Sequence, residues 1–258
     1  MNESQLIFPN ELYKFTSIDK EDNLINSLEE GYLWLSKPKD FNDPYDCYEK
    51  LVTVNPTDDL IKRAVNSGMK NSDRTEKRRW MKSAKKNRAE FKKKMEGSVA
   101  ELYGNIGVCC FTQNNYTDIL MWSHYGDNHK GVCLKFDISL SPKEFAPILE
   151  VKYTPNFKAI DYDFESAKSM EHYVTTKSKV WEYENEVRKV RLLSQEPSQK
   201  FNFPPESLTE IAFGCDTPYA DALKVYNIIH KKYPHVKVHH MKMEESKFEL
   251  KPIEGYLY

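Results

Sequence analysis

Two glutamates and an arginine at alternate positions form a pattern that could do chemistry. Glu184, Glu186 and Arg188 lie in the segment KVWEYENEVR, and alternate side chains of a β-strand point to the same face of the sheet. The arginine would therefore hold one carboxylate in its charged form. A salt-bridged sheet face without activity is an alternative, and Glu184 and Glu186 would also suit the acid and base of a hydrolase. A metal site is not expected, because no histidine or aspartate there has a conventional ligand spacing.

A second group of reactive side chains lies in MWSHYGDNHKGVCLKFD, from Met121 to Asp137. His124 is a candidate catalytic residue, because histidine is the side chain most easily tuned near neutral pH. Tyr125 beside it could stack on a flat ring. Helical spacing turns part of this segment towards the core, so a structural role for the histidine remains an alternative.

The first third of the chain contributes two further candidates. Lys14 lies between Tyr13 and Phe15 in LYKFTS, so on a strand it would face away from both aromatic neighbours. It is either a solvated strand lysine or a ligand contact. In FNDPYD, Asn42 and Asp43 bond their own backbone readily in a turn, and a role in binding is compatible with that turn.

The elements that must position these groups alternate irregularly along the chain. Strands are predicted in LYKFTS, YLWLS, NIGVCCFT, KGVCLKFD, EVKYTP, SLTEIAFG, VKVHHMKM and KFELKPIEGY, with a further strand starting near Glu184. Helices are predicted from a Ser17 cap to Gly31, from Thr117 to Gly126, in DYDFESAKSMEHYVTTKSKVW, and from Thr217-Pro218 to about Tyr233. Strands outnumber helices, which predicts an α+β fold with a mixed or antiparallel sheet, in a single domain over residues 1–258.

A basic segment over residues 57–103 interrupts this body, and two or three surface helices are expected there. Between Lys62 and Lys94 the chain has 14 Lys or Arg and 3 Asp or Glu, a balance of +11, although the whole chain carries only −1. Clustered basic residues bind phosphate backbones, but a charge run is also typical of a solvated helix face. The candidate nucleic-acid-binding residues are Arg74, Lys77, Arg78, Arg79, Lys85 and Lys86.

The remaining features concern compartment and class. The five cysteines are scattered without a CxxC pair, which favours reduced, mostly buried thiols over a metal site. No apolar run is long enough for a membrane span. The N-terminus has neither a basic nor an apolar region typical of a secretory signal, so a cytoplasmic location is expected.

Several of the motifs together resemble a widespread bacterial family of unknown function, whose members occur in abortive-infection and other anti-phage loci. The resemblance rests on LYKFTS, LWLSKPKDFNDPYD, CFTQ, MWSHYGDNHKGVCLKFD, KxxxWEYENEVR and LTEIAFG, and it extends from Leu12 to about Gly214. FNDP and WxHYxxxHxG are its more specific elements. The Lys-rich segment has no counterpart in this pattern.

The order of elements also resembles, more distantly, the ADP-ribosyltransferase superfamily. In that superfamily a first strand holds NAD through a histidine or arginine, and a late strand brings a glutamate. LYKFTS resembles the common LYHxT opening, with Lys14 where the histidine would be, and Glu184-x-Glu186 resembles the ExE pair. The resemblance implies the ADP-ribosyltransferase fold and NAD as co-substrate, with no metal.

The resemblance also implies roles for individual residues. Glu186 would stabilise the oxocarbenium-like cation that forms when the nicotinamide bond breaks, Glu184 would orient the acceptor, and His124 would line the pocket beside them. The residues implied in NAD binding are Tyr13, Lys14, Thr16, Asn42, Asp43, Trp122, Tyr125, His129 and Arg188.

Two functions from different classes follow. The first is an NAD-using, ADP-ribosyltransferase-like effector, a toxin in anti-phage defence, with nucleic acid or a nucleic-acid-associated protein as acceptor and with a neutralising or sensing partner protein. The alternative is a non-catalytic module that binds nucleic acid or the ribosome through the basic segment. Stabilisation by NAD would favour the transferase, whereas indifference to NAD and salt-sensitive binding would favour the module.

Overall fold

A computed structural model describes residues 10–18, 21–164 and 167–255. The strands are β1 (Glu11–Thr16), β2 (Tyr32–Trp34), β3 (Val52–Thr53), β4 (Ile106–Thr112), β5 (Val132–Asp137), β6 (Ile148–Glu150), β7 (Lys152–Thr154), β8 (Ile160–Asp161), β9 (Thr176–Ser178), β10 (Glu186–Leu192), β11 (Lys200–Asn202), β12 (Leu208–Phe213), β13 (Lys237–Met243) and β14 (Leu250–Glu254). The α-helices are α1 (Asn23–Glu30), α2 (Asp58–Gly68), α3 (Arg74–Lys86), α4 (Arg88–Gly104), α5 (Ile119–Tyr125), α6 (Pro142–Phe145), α7 (Lys168–Thr175) and α8 (Tyr219–Lys232).

Eight of these strands form one mixed sheet in the order β14-β13-β12-β5-β1-β4-β10-β6. The β12 and β13 strands are parallel and the other neighbours are antiparallel. Of the antiparallel pairs, β13 and β14 alone are consecutive along the described chain and joined by a short connection, and the others bring together strands that are distant in sequence. The crossover through α8 makes the β12 and β13 pair parallel. The predicted α+β class with a mixed sheet is confirmed.

The sheet opens in its middle, between β1 and β4. The β1 strand pairs with β5 over six residues, and β4 pairs with β10 over seven, but β1 meets β4 at one pair, Tyr13 with Thr112. Beyond that pair the Lys14 ammonium donates to the backbone carbonyl of Cys110 at 3.1 Å. The two halves of the sheet therefore diverge next to the first strand.

Apolar packing holds both faces of the sheet. On one face, α1 and α8 contribute Leu24, Leu28 and Val225 to the largest core cluster, which they share with sheet residues such as Phe136. The α1 helix ends at Gly31, which has a left-handed conformation with φ of 74° that a glycine adopts without steric cost. The predicted end of this helix is confirmed.

The opposite face carries two separate clusters. One joins β4 and β10 to α4 and α7, through residues such as Val108 and Val174. The other joins β1 to α5, where the rings of Phe15 and Trp122 meet edge-on with centroids 5.0 Å apart. The sheet surface between these clusters is where the candidate site lies.

Three sequence predictions about helices need correction. The first helix begins at Asn23 with Asp22 in the cap position, so Ser17 is not its cap. The α5 cap is Asp118, whose carboxylate accepts from the backbone N–H of Met121, and Thr117 precedes it. An aspartate that reaches the third N–H satisfies the helix start directly.

The predicted helix in DYDFESAKSMEHYVTTKSKVW is confirmed only for Lys168–Thr175, after which the chain extends into β9. Consecutive threonines favour extended backbone because their branched side chains are stiff. Glu165 and Ser166 of that segment lie outside the described residues.

The helices α2, α3 and α4 occupy the basic segment. The α3 helix has no buried residue, whereas α4 anchors the segment to the body through Val99 and Tyr103. None of the helices in the described part of the chain combines the length and apolar character needed to cross a bilayer.

Candidate functional site

A small cavity of about 120 Å³ lies where β1 and β4 diverge. Its lining residues come from β1, the 41–46 loop, β4, α5, β9, the 3₁₀ turn that ends at Glu184 and the start of β10; they are Tyr13, Lys14, Phe15, Phe41, Asn42, Asp46, Cys110, Phe111, Thr112, Met121, Tyr125, Lys177, Glu184 and Glu186. Ligand pockets for drug-sized molecules usually measure about 300–1,000 Å³. The cavity is therefore of a size for one small ring rather than for a whole dinucleotide.

Arg188 forms the centre of a buried ionic network beneath this cavity. The side chain is fully buried, and its Nε donates to Glu186 at 2.8 Å. Its two terminal nitrogens donate to both oxygens of Asp46 at 2.8 and 2.6 Å, and one of them also donates to the carbonyl of Val174. The planar guanidinium therefore fixes two carboxylates in defined orientations.

Lys177 is the second cation of the network. Its ammonium lies 2.5 Å from Glu184, 2.9 Å from Glu186 and 3.5 Å from Asp46, and its side chain is 6% exposed. The second oxygen of Glu184 accepts from the hydroxyl of Tyr125 at 2.5 Å. Three carboxylates thus share two cations, and the ammonium of Lys14 on the cavity wall is a third cation.

The network separates the acidities of the two glutamates. Burial raises the pKa of Glu186, but the opposing attraction of Arg188 and Lys177 is larger and lowers this pKa to about 2. Burial raises the pKa of Glu184 above its ordinary value, although Lys177 and Tyr125 oppose the shift. One carboxylate is therefore firmly ionised, and its neighbour is closer to taking up a proton.

Glu184 and Glu186, which both contact Lys177, lie on either side of the left-handed residue Asn185. Glu184 ends a 3₁₀-helix, Asn185 has a φ of 45°, and β10 starts at Glu186. Asparagine visits this conformation more readily than most residues. Glu186 and Arg188 share a strand face, as predicted, but Glu184 precedes the strand, so the prediction that all three lie on one strand is wrong. The hydroxyl of Thr112 secures this turn by donating to the Glu184 carbonyl at 2.5 Å.

Six of the predicted site residues line the cavity together, from four separate parts of the chain: Tyr13, Lys14, Asn42, Tyr125, Glu184 and Glu186. Arg188 lies under the cavity through its bonds to Glu186. Sequence positions more than 170 residues apart thus converge on one opening in the sheet.

Lys14 also lines a second cavity, of about 320 Å³. Thr16 and Ser27 are among its polar lining residues, and Tyr32 and Trp34 contribute aromatic rings. Since β1 alternates its side chains, Lys14 faces away from Tyr13 and Phe15, as the sequence predicts. Lys14 is a lining residue of both cavities.

Other predicted residues lie outside the small cavity. The carboxylate of Asp43 accepts from the indole N–H of Trp181 at 2.7 Å and from the backbone of Tyr45 at 2.9 Å. It lines a larger groove of about 1,000 Å³ on the outer side of the 41–46 loop. The turn interpretation of FNDPYD is therefore confirmed, because the Asp43 carboxylate bonds the backbone two residues on.

Three candidates in and after α5 do not line the small cavity. Trp122 is fully buried and donates its indole N–H to the carbonyl of Tyr116 at 2.7 Å, so it serves the core and cannot touch a ligand. His129 lies on the Trp122 ring and bonds Ser123 at 3.1 Å, away from the cavity. His124 is exposed, and its Nδ1 lies 2.6 Å from the hydroxyl of Tyr183. It does not line the small cavity.

All six predicted basic residues lie on α3 of the insertion. Arg74, Arg78, Arg79 and Lys86 are exposed. Lys85 is partly neutralised by Asp58 at 2.6 Å, and Lys77 donates to a backbone carbonyl of the same insertion.

Sequence reasoning missed Asp46 and Lys177. Asp46 belongs to the quoted FNDPYD turn, and Arg188 was the residue that could have indicated a need for a further carboxylate. A buried guanidinium requires several acceptors, and a single neighbouring glutamate does not satisfy five donors. Lys177 is the lysine of the quoted KxxxWEYENEVR motif, but nothing in its residue type or spacing assigned it a role in the site.

Residues 121–189 match the sequence pattern of the family described as "Protein of unknown function (DUF2971)". The matched segment runs from α5 into β10 and includes Tyr125, Lys177, Glu184, Glu186 and Arg188. No curated protein and no solved structure matches the chain. The segment that carries most of the ionic network is thus similar to a family of unknown function, which is consistent with an uncharacterised family.

Proposed function

We propose that the protein is an NAD-dependent, ADP-ribosyltransferase-like enzyme with Glu186 as its catalytic carboxylate. The observation that carries the proposal is the pairing of an ionised Glu186 with a less acidic Glu184 in a cavity at the opening of the sheet. A fixed anion stabilises a cation that develops beside it in a site shielded from water. Glycosidic cleavage of NAD forms such a cation at the ribose carbon.

The proposed reaction uses the two glutamates differently. The bond between the ribose C1′ and the nicotinamide nitrogen breaks, its electron pair leaves with neutral nicotinamide, and Glu186 stabilises the cation on the ribose. A nucleophile of the acceptor then forms a bond to C1′. Its proton passes to Glu184, whose raised pKa suits a general base. Tyr125 and Lys177 orient Glu184 through the contacts at its two oxygens.

Two cavities that share Lys14 as a lining residue support the binding of a dinucleotide. The small cavity suits the nicotinamide ring, with the rings of Phe41 and Tyr125 on its wall, and the second cavity suits the adenosine end beside Tyr32. Lys14 between them would contact the pyrophosphate with its ammonium, a point charge that suits phosphate. In this arrangement Lys14 performs the role of the histidine or arginine of the superfamily that the sequence resembles.

Binding and turnover are tested separately. In a thermal-shift titration, NAD at 100 times its Kd is expected to stabilise the wild type by about 2.7 kcal/mol. Lys14→Ala removes the phosphate contact and should lose most of this stabilisation. Glu186→Gln keeps the volume of the side chain and should reduce release of nicotinamide by about 10²–10³-fold, the loss typical of one electrostatic contact to a transition state.

The matched control is Glu210→Gln. Glu210 is also bonded to a lysine, Lys135 at 2.9 Å, but lies on β12 outside the cavity. This variant should release nicotinamide at the wild-type rate. Release by Glu186→Gln at that same rate would refute the proposed role of Glu186, and a folded wild type without an NAD-dependent shift would refute NAD as co-substrate.

The same proposal extends to biological role. The resemblance to families in anti-phage loci supports an effector whose transfer activity harms the host cell. Such an effector requires restraint by a neutralising or sensing partner. Expression of the wild type, but not of Glu186→Gln, is expected to arrest growth.

A second candidate function rests on the insertion. Arg74, Arg78 and Lys86 are exposed and form no ion pair with a residue in the described ranges, so their charges are available to a phosphate backbone. This function is the binding of nucleic acid or the ribosome, either alone or to deliver an acceptor to the cavity.

A further inference from the structure

Three aromatic rings form an exposed cluster on the outer side of Lys177. Tyr45 is 60% exposed and Phe157 is 46% exposed. Each meets Tyr48 edge-on, with ring centroids 5.5 Å apart and interplanar angles of 70° and 77°. In these contacts neither Tyr45 nor Phe157 is stacked face to face, which leaves flat ring surface open to solvent.

A cavity of about 320 Å³ lies against this cluster. Tyr45 and Phe157 line it together with the polar residues Thr154, Asn156 and Ser178. Lys177 lines it as well, and Lys177 is the residue that bonds both glutamates in the candidate active site. The cavity therefore combines aromatic faces, hydrogen-bonding groups and a wall shared with the proposed catalytic network.

Three lysines lie near this cavity at the surface. The ammonium of Lys50 lies 5.9 Å from the centre of the Tyr48 ring. Lys158 and Lys179 are exposed and directly follow two residues that line the cavity. A flat ring attached to a phosphate would find stacking surface and cations in the same place.

A groove connects this region with the basic insertion. The groove of about 1,000 Å³ is lined by Tyr48 and Lys50 on one side and by Gly97 and Ala100 of α4 on the other. Lys93 is exposed and lies one helical turn before Gly97, on the same side of α4. A strand held by the basic insertion would reach the aromatic cluster along this groove.

We propose that Tyr45, Tyr48 and Phe157 form a subsite for an unpaired nucleobase of a single-stranded nucleic acid. Stacking suits this ligand because every base has an aromatic face, and the lysines suit its phosphates. Duplex DNA keeps its bases stacked inside the helix, so it cannot offer them to these rings. The subsite is a binding site in its own right and does not depend on the proposed NAD chemistry.

Fluorescence anisotropy of a short labelled oligothymidylate tests the proposal with the full chain. Tyr45→Ala combined with Phe157→Ala is expected to weaken binding about ten-fold or more. Because neither side chain carries charge, the slope of affinity against salt should stay as in the wild type. Arg78→Ala combined with Arg79→Ala should instead reduce that slope.

Phe248→Ala is the matched control, since Phe248 is 99% exposed and lies before β14, outside the cavity. It should bind the oligonucleotide like the wild type. Wild-type affinity in the Tyr45 and Phe157 double variant, or no binding by the wild type at low salt, would overturn the proposal. If thymidine monophosphate competes as strongly as the unlabelled oligonucleotide, the proposal of a single-stranded nucleic acid is overturned and a free nucleotide is the ligand. These readouts require no NAD, so failure here leaves the proposed transferase untouched.

Discussion

Replacement of Lys177 by methionine is the most direct perturbation of the ionic network. Methionine fills a similar volume but carries no charge. The change leaves Asp46, Glu184 and Glu186 buried around a single guanidinium, that of Arg188. The folded state then contains carboxylate charge without a partner, which is expected to destabilise it.

The size of the effect follows from the distances. At an effective dielectric constant of about 20, a charge pair at the 2.9 Å between Lys177 and Glu186 attracts with roughly 5–6 kcal/mol. Much of this attraction is offset by the desolvation of the lysine. Breaking a buried pair by removing one partner typically costs about 3–5 kcal/mol. We expect a loss of that size in the free energy of unfolding at neutral pH.

Urea denaturation across pH checks both the size and the cause. Burial already raises the pKa of Glu184, and loss of Lys177 raises it further. The folded variant takes up a proton more readily than its unfolded chain, so the destabilisation should be small near pH 4.5 and grow as pH rises to neutral. Lys152→Met, which removes an exposed pair with Glu171, should cost less than about 1 kcal/mol at either pH. A loss for Lys177→Met as small as this control, or one equal at acid and neutral pH, would refute the assignment of Lys177 to the network.

Two further predictions concern stability. The pKa of Glu186 is lowered from 4.5 to about 2, so its ionised form contributes roughly 3 kcal/mol to the free energy of unfolding. This contribution is fully present above about pH 4.5 and is lost as pH falls towards 2. Glu186→Gln should therefore flatten the dependence of urea-derived stability on pH in this window, and a wild-type slope in the variant would contradict the shift. Trp122→Ala removes a fully buried side chain and should cost about 3–5 kcal/mol in urea denaturation, whereas a cost under about 1 kcal/mol would argue against its core role.

Local chemistry made much of the fold predictable. Alternating apolar residues identified the long strands, and Gly31 marked a helix end through its left-handed backbone. The errors arose where several residues compete for one role. Asp118 rather than Thr117 caps α5, because its carboxylate reaches the free N–H of Met121, and sequence alone does not rank two adjacent capping residues.

The site was predictable where one short segment carries the chemistry. Glu184, Glu186 and Arg188 were recognisable from their spacing, and the network confirms the ion pair between Glu186 and Arg188. Asp46 lies 142 residues before Arg188 along the chain, so no local pattern links the two. Lys177 contacts the glutamates on either side of Asn185, whose left-handed backbone is a detail that asparagine permits but does not dictate.

The single residue pair between β1 and β4 gives the sheet a seam. On one side of the seam β1 is joined to β5 by a continuous ladder, and on the other side β4 is joined to β10 in the same way. Across the seam, β1 and β4 are paired at one position, Tyr13 with Thr112. A molecule bound in the opening would therefore contact both halves of the sheet. Its binding would hold the β1–β5 half and the β4–β10 half together. Amide hydrogen exchange in β1 and β4 would register an occupant as slower opening at this seam, whatever its chemical identity.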